Sequence, residues 1–136
     1  MLTVTDQPID TTALRRECAL HTAGALVIFE GVVRDFHQAQ KVLRLEYEAN
    51  PALAAAEYEL IVQEASRMYP LLWTRCVHRV GSASPGETAV WLGVATAHRA
   101  QAFEACRFII DQIKERLPVW KKEYYENGES GWINAP

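Results

Sequence analysis

The stretch Lys114–Glu123, KERLPVWKKE, sets three lysines and an arginine around Leu-Pro-Val-Trp in a chain whose formal net charge is −3. Cations near a helix C-terminus are favoured by the helix dipole, which accounts for Lys114 and Arg116. It does not account for Lys121 and Lys122, which lie beyond Pro118, a residue that stops a helix. An amine crowded by other cations loses proton affinity and can then give and take a proton near neutral pH. Lysine acid–base chemistry, or the holding of an anion, is therefore the first chemistry this stretch suggests.

Other cations recur at the ends of elements. In TAHRAQAF the strand-like WLGVATA runs into His98 and Arg99 where a helix begins, and the free N–H groups of a helix start favour anions. Arg34 closes FEGVVRDF, and His78 and Arg79 stand in HRVG at another strand end. Each has a plainer reading: a snorkelling lysine, a histidine at a cap or polar edge, a solvated arginine. Loops could nevertheless bring Arg34, His98, Arg99, Lys114 and Lys121 together, and such a pocket would suit a phosphate or carboxylate. No nucleophile elbow, dinucleotide fingerprint or P-loop is present, and the four histidines lack a metal-ligand spacing. Cys18, Cys76 and Cys106 are odd in number and dispersed, which reads as inert thiols rather than a disulfide framework or a zinc site.

The elements that must position these residues follow the order β-α-β-β-α-β-β-α-β. A first helix is expected over DTTALRRECALHTAG, with Leu14, Cys18 and Ala19 inward. ALVIFEGVVRDF reads as a long strand with a bend or bulge at Gly31, paired with VLRLEYEA, whose Val42, Leu45 and Tyr47 alternate with charged residues. Pro51 opens a second helix that Pro70 stops, and two strands flank the Pro-Gly turn of GSASPGE. The third helix runs from about Arg99 to Leu117 and buries Phe103, Cys106, Ile110, Ile113 and Leu117. Beyond it, WKKEYYENGESGW is an extended arm turning at Asn127-Gly128. Hairpins outnumber crossovers, so the fold class expected is α+β with a mainly antiparallel sheet and about three helices.

The chain has 136 residues, 49% hydrophobic and 23% charged, the size and balance of one soluble domain spanning 1–136. No apolar run approaches the roughly eighteen residues of a membrane span. The N-terminus MLTVTDQPID lacks the basic start and apolar core of a signal peptide, so a cytoplasmic protein is expected. Its mildly acidic balance argues against bulk nucleic-acid binding.

With these residues in view, the chain resembles the large, catalytic subunit of molybdopterin synthase, the MoaE family. The likeness runs from GALVIFEGVVRDF through LRLEYEA, HRVG and PGE to GVATAHRAQAFEACRFIIDQIKERLPVWKKE, and the segment from AHR to WKKE is its specific part. The resemblance implies an α/β-hammerhead-like fold and a sulfurtransferase. Two sulfurs would pass from the C-terminal Gly-Gly thiocarboxylate of a small ubiquitin-like subunit to cyclic pyranopterin monophosphate, forming the dithiolene of molybdopterin. It further implies a homodimer within a heterotetramer, and neither metal nor cofactor in the protein itself. Carried onto this sequence, Lys114 and Lys121 are the catalytic amines. Arg34, His98 and Arg99 bind the cyclic phosphate, Val32 and Val33 line the wall, and Lys122 and Glu123 contribute to the rim. One departure is the loop DFHQAQK after Arg34, which lacks the glycine relatives commonly have. The rivals are a non-catalytic dimeric anion- or partner-binding module of this fold, another enzyme acting on a phosphorylated metabolite, and a nucleic-acid binder.

Overall fold

The computed structural model describes residues 1–135. Two sheets and three helices make an α+β fold. The first sheet has the order β1 (Leu2–Thr5), β5 (Trp73–Arg79), β7 (Thr88–Thr96), β2 (Ala25–Val32). Only β1 and β5 run parallel within it; β5–β7 and β7–β2 are antiparallel. In the second, β10 (Ile133–Asn134) pairs with β8 (Val119–Tyr125), β8 with β4 (Gln40–Ala49), and β4 with β3 (Phe36–His37). Two short strands, β6 (Gly81–Ala83) and β9 (Gly128–Glu129), attach to β4 and β8.

The helices are α1 (Thr11–Glu17), α2 (Pro51–Met68) and α3 (Arg99–Arg116). Asn50 caps α2 by accepting from the Leu53 amide, with Pro51 in the first turn where its missing N–H costs nothing. Helix α3 lies on β2 and β7 and beside α2. Between the helices and both sheets lies one core of Tyr58, Ile61, Leu92, Val94, Ile109, Ile113, Leu45 and Val119. A smaller cluster, Leu14, Val77 and Trp91, fills the opposite face of the first sheet.

Several expectations are met by the backbone. The register of β2 shifts between Gly31 and Val32, where a side chain on Gly31 would come within 2.6 Å of Val90. Val42, Leu45 and Tyr47 are buried on one face of β4. The arm does turn here, but one residue earlier than Asn127-Gly128: Tyr125 stands opposite Gly128, so the two turn residues are Glu126 and Asn127, and Gly128 already belongs to β9.

Others are corrected. Helix α1 stops at Glu17; Cys18 is already extended and only half-buried, and Ala19 is exposed. One buried residue, Leu14, is too little apolar surface to hold a longer helix against its entropy. On α3, Phe103 is 62% exposed, and the face on the sheet is Ala102, Ala105, Cys106, Ile109, Ile110 and Ile113. Two alanines at the front of that face bring the helix close to the strands, leaving Phe103 outside. Finally, β4 does not pair with β2: it lies in the second sheet beside β8, far on in sequence, as Tyr47 opposite Lys121 shows.

Candidate active site

A cavity of about 170 Å³ opens at the seam between the two sheets. Its wall takes Val32, Val33 and Arg34 from the end of β2, Tyr47 from β4, His78 from β5, Lys114 from α3, and Lys121 and Glu123 from β8. Three cations from two distant parts of the chain, Arg34 and the Lys114–Lys121 stretch, thus converge on one small space.

Strand periodicity fixes which β8 residues face it. Side chains alternate along a strand, so Val119, Lys121 and Glu123 share the inner face and Trp120, Lys122 and Tyr124 the outer. Lys121 stands opposite Tyr47, and Glu123 opposite Leu45, both buried on β4. Lys122 stands instead opposite Glu46; its amine lies 3.5 Å from Glu129 and over the ring of Trp132. The expected rim residue Lys122 is therefore on the far face of the sheet from the cavity.

Glu123 is buried with Lys121 beside it: Lys121 Nζ lies 3.4 Å from Glu123 Oε1, and the Tyr125 hydroxyl donates to Oε2 at 2.5 Å. Burial raises the affinity of this carboxyl for a proton. The Tyr125 hydrogen bond and the charges of Lys121 and His37 outweigh that and hold it below the usual carboxylate range. Lys121 is thereby kept beside an anionic partner. Lys114 differs: burial first, and then the charge of Lys121, pull its amine below the ordinary lysine value.

Helix α3 ends where Lys114 needs to be presented. Leu117 adopts an extended backbone, its N–H closing on the Ile113 carbonyl, and Pro118 precludes another helical turn. The chain then reverses into β8 and brings Lys121 back to the same cavity. Arg116, the last residue of the helix, is directed away, into Glu57 and Glu64 of α2.

Arg34 sits just beyond β2, held there by Val33 N–H to the Glu87 carbonyl and Gly86 N–H to the Val33 carbonyl. Its guanidinium approaches His37 Nδ1 at 3.3 Å. The glycine-free loop is closed by the β3–β4 hairpin, with Gln38 and Ala39 both at positive φ, 50° and 63°.

His98 and Arg99 lie elsewhere. They begin α3, whereas Lys114 is in its last turn, and sixteen residues of helix separate His98 from Lys114 by about 24 Å. A single chain does not bring them to the cavity. His98 makes no side-chain cap to α3 and is exposed, as is Arg99.

Among residues not singled out for the site from sequence, Tyr47 and His78 line the cavity and Tyr125 orients Glu123. Burial and then the Glu123 charge push Tyr47 up to about 12, so it stays a neutral phenol. Cys76 and Cys106 are buried free thiols, with values pushed up by burial to about 12 and about 11, which leaves them unreactive.

A family profile described as MoaE protein matches residues 4–116. The molybdopterin synthase catalytic subunit of Thermoplasma volcanium is 40% identical over 129 residues, covering 95% of this chain and 94% of that protein. The crystal structure of molybdopterin synthase from Staphylococcus aureus matches with a TM-score of 0.90 at 34% identity, over 96% of this chain and 95% of that one. A complex of subunits 1 and 2 of the molybdopterin-converting factor from Helicobacter pylori shares the fold, with a TM-score of 0.78 at 21% identity, over 94% and 87%.

Proposed function

The chain belongs to the MoaE family, and from that premise we propose that it is the catalytic subunit of a molybdopterin synthase, an enzyme of molybdenum cofactor biosynthesis. The reaction is sulfur transfer. A small ubiquitin-like subunit carries a C-terminal Gly-Gly thiocarboxylate, and two such sulfurs pass in turn to cyclic pyranopterin monophosphate.

The observation that carries this reading is the meeting of Arg34, Lys114 and Lys121 at one cavity, with the Lys114 amine held below its ordinary range. Both reactants are anions, and the thiocarboxylate supplies its own nucleophile, so the chain's buried thiols have no step to perform. The protein's task is charge and protons. Lys121, held beside Glu123, faces the thiocarboxylate or the phosphate. Lys114, less strongly protonated, exchanges a proton with the reacting centre. Arg34 offers a fork of N–H donors to the cyclic phosphate, and Val32 and Val33 form the wall beside it.

The cavity of about 170 Å³ is smaller than the roughly 300–1,000 Å³ of a site that encloses a whole small molecule. This supports a substrate shared between chains. The roles assigned to His98 and Arg99 fit such an assembly: about 24 Å from their own Lys114, they serve a cavity only from a second copy of the chain.

The test is molybdopterin formation from cyclic pyranopterin monophosphate and thiocarboxylated small subunit, comparing wild type with Lys114→Ala. Turnover that collapses by about a hundredfold or more in a folded variant supports the reading, the usual scale for acid–base catalysis. No turnover by the wild type with a competent partner sinks it. A non-catalytic anion-binding module has no use for an amine of lowered proton affinity, and the same assay separates the two.

A further inference from the structure

Arg79 ends β5 in the motif HRVG and Glu87 closes the motif PGE, and neither side chain has a part in the roles above. A strand-end arginine is ordinarily solvated, yet Arg79 is 7% exposed. A buried cation is costly unless it is both paired and hydrogen-bonded. Arg79 meets both conditions: Nη1 lies 3.4 Å from Glu87 Oε2, and Nη2 donates to the Ser82 carbonyl at 2.9 Å. These contacts tie the end of β5 to β6 and to the far end of the loop that follows it.

That loop is a turn, Ser84-Pro85-Gly86-Glu87. The Glu87 N–H donates to the Ser84 carbonyl at 3.0 Å. Glu87 Oε2, the oxygen that faces Arg79, also accepts from the Ser84 N–H at 2.9 Å. Pro85 and Gly86, the latter at φ 91°, suit the second and third positions of such a turn. The backbone of the turn grips the chain just beyond β2. Val33 N–H donates to the Glu87 carbonyl at 2.9 Å, and Gly86 N–H to the Val33 carbonyl at 2.8 Å. Val33 immediately precedes Arg34. On the other side of Arg34, the Val42 N–H of β4 donates to the Asp35 carbonyl at 2.8 Å. Arg34 thus stands between two held residues, one tied to the turn and one to the second sheet, with its guanidinium at His37 in the cavity wall.

We propose that Arg79 is a positioning residue for Arg34: it anchors the Glu87 carboxylate, the anchored turn holds the Val33 backbone, and Val33 sets where the Arg34 guanidinium enters the cavity. The links are an ion pair, two backbone hydrogen bonds and one peptide bond. The proposal rests on the reading of Arg34 as the donor to the cyclic phosphate. A guanidinium meets a phosphate as a rigid fork, so a shift of its stem weakens the grip on the phosphate. The amines of Lys114 and Lys121, carried by α3 and β8, stay where they are.

The test begins with NMR on the free protein. Amide hydrogen exchange at Val33 and Gly86 reports the grip of the turn. The His37 ring signal, assigned from His37→Gln, reports whether the Arg34 guanidinium is beside it. In Arg79→Met both amides should exchange about tenfold faster, and the His37 signal should move toward its position in Arg34→Ala. Unchanged exchange or an unmoved His37 signal in folded Arg79→Met overturns the proposal. Should that variant not fold, Glu87→Gln decides on the same two readouts, since it removes the charge that Arg79 holds and keeps an oxygen for the Ser84 N–H. In the sulfur-transfer assay, Arg79→Met should raise KM for cyclic pyranopterin monophosphate about tenfold and change kcat by less than about threefold. Added to Arg34→Ala, it should cost nothing further. A loss that adds to that of Arg34→Ala marks a general structural role and is equally fatal. The NMR readouts need no substrate, so failure of the synthase reading in the wild type leaves this proposal still decided by them.

Discussion

Acidification should unfold this protein in part through His78. The native ring binds its proton only near pH 4, against an ordinary 6.5, because burial removes the charged form from water. Between those values the unfolded chain holds a proton that the native chain refuses. Stability contributed by the neutral buried ring is therefore complete above 6.5 and is lost as pH falls toward 4. At about 1.4 kcal/mol per pH unit, that interval comes to about 3 kcal/mol, a large share of the roughly 5–15 kcal/mol that holds a domain together. The assay is urea unfolding at steps from about pH 7.5 to about pH 4.5 for wild type and His78→Gln. Carboxylates such as Glu123 also weaken the fold on acidification, but they are common to both proteins and cancel in the difference. The wild type should lose about 3 kcal/mol more than the variant across the window. Parallel stability curves, or a native His78 that titrates near 6.5, would refute the reasoning.

The two adjacent lysines of β8 should behave oppositely: Lys121→Ala lowers turnover by about a hundredfold or more, while Lys122→Ala, on the outer face, changes it less than about threefold in a sulfur-transfer assay. Equal losses would mean that the strand faces are wrongly assigned. Gly93→Ala places a methyl 2.7 Å from the Trp91 ring and 2.8 Å from that of Trp73, and should cost about 1–3 kcal/mol in thermal or urea unfolding.

Much of the site was legible in the residues alone, and the exceptions have physical causes. Lys114 and Lys121 could be linked because Pro118 forces the chain to turn between them. Lys122 follows Lys121 in the family motif, and the motif alone does not say that the two side chains part. Pairing with β4 makes the segment a strand, and alternation then sends neighbours to opposite faces. His98 and Arg99 were grouped with Lys114 as residues at element ends. Opposite ends of one straight helix are nonetheless the most widely separated points on it. Phe103 fell on the apolar period of α3, but the packing distance set by Ala102 and Ala105 decides which side of the stripe is covered. His78 stood in a quoted motif with nothing to mark it as buried. Its burial comes from β5 lying between β1 and β7, a long-range arrangement that a local window does not contain.

The two-faced character of β8 also bears on how genomes encoding such chains should be read. Losing or gaining one codon between Pro118 and Lys121 exchanges the inner and outer sets of side chains, provided the pairing with β4 is kept. After a gain the residue opposite Tyr47 would be Trp120; after a loss it would be Lys122, with Tyr124 in the place of Glu123 opposite Leu45. Such an allele is expected to be inactive although every functional side chain is still encoded. Substitutions at Trp120, whose side chain faces outward, should be tolerated far better than a change of length beside it. For this segment, the parity of an insertion or deletion is a better guide to lost activity than the count of matching residues.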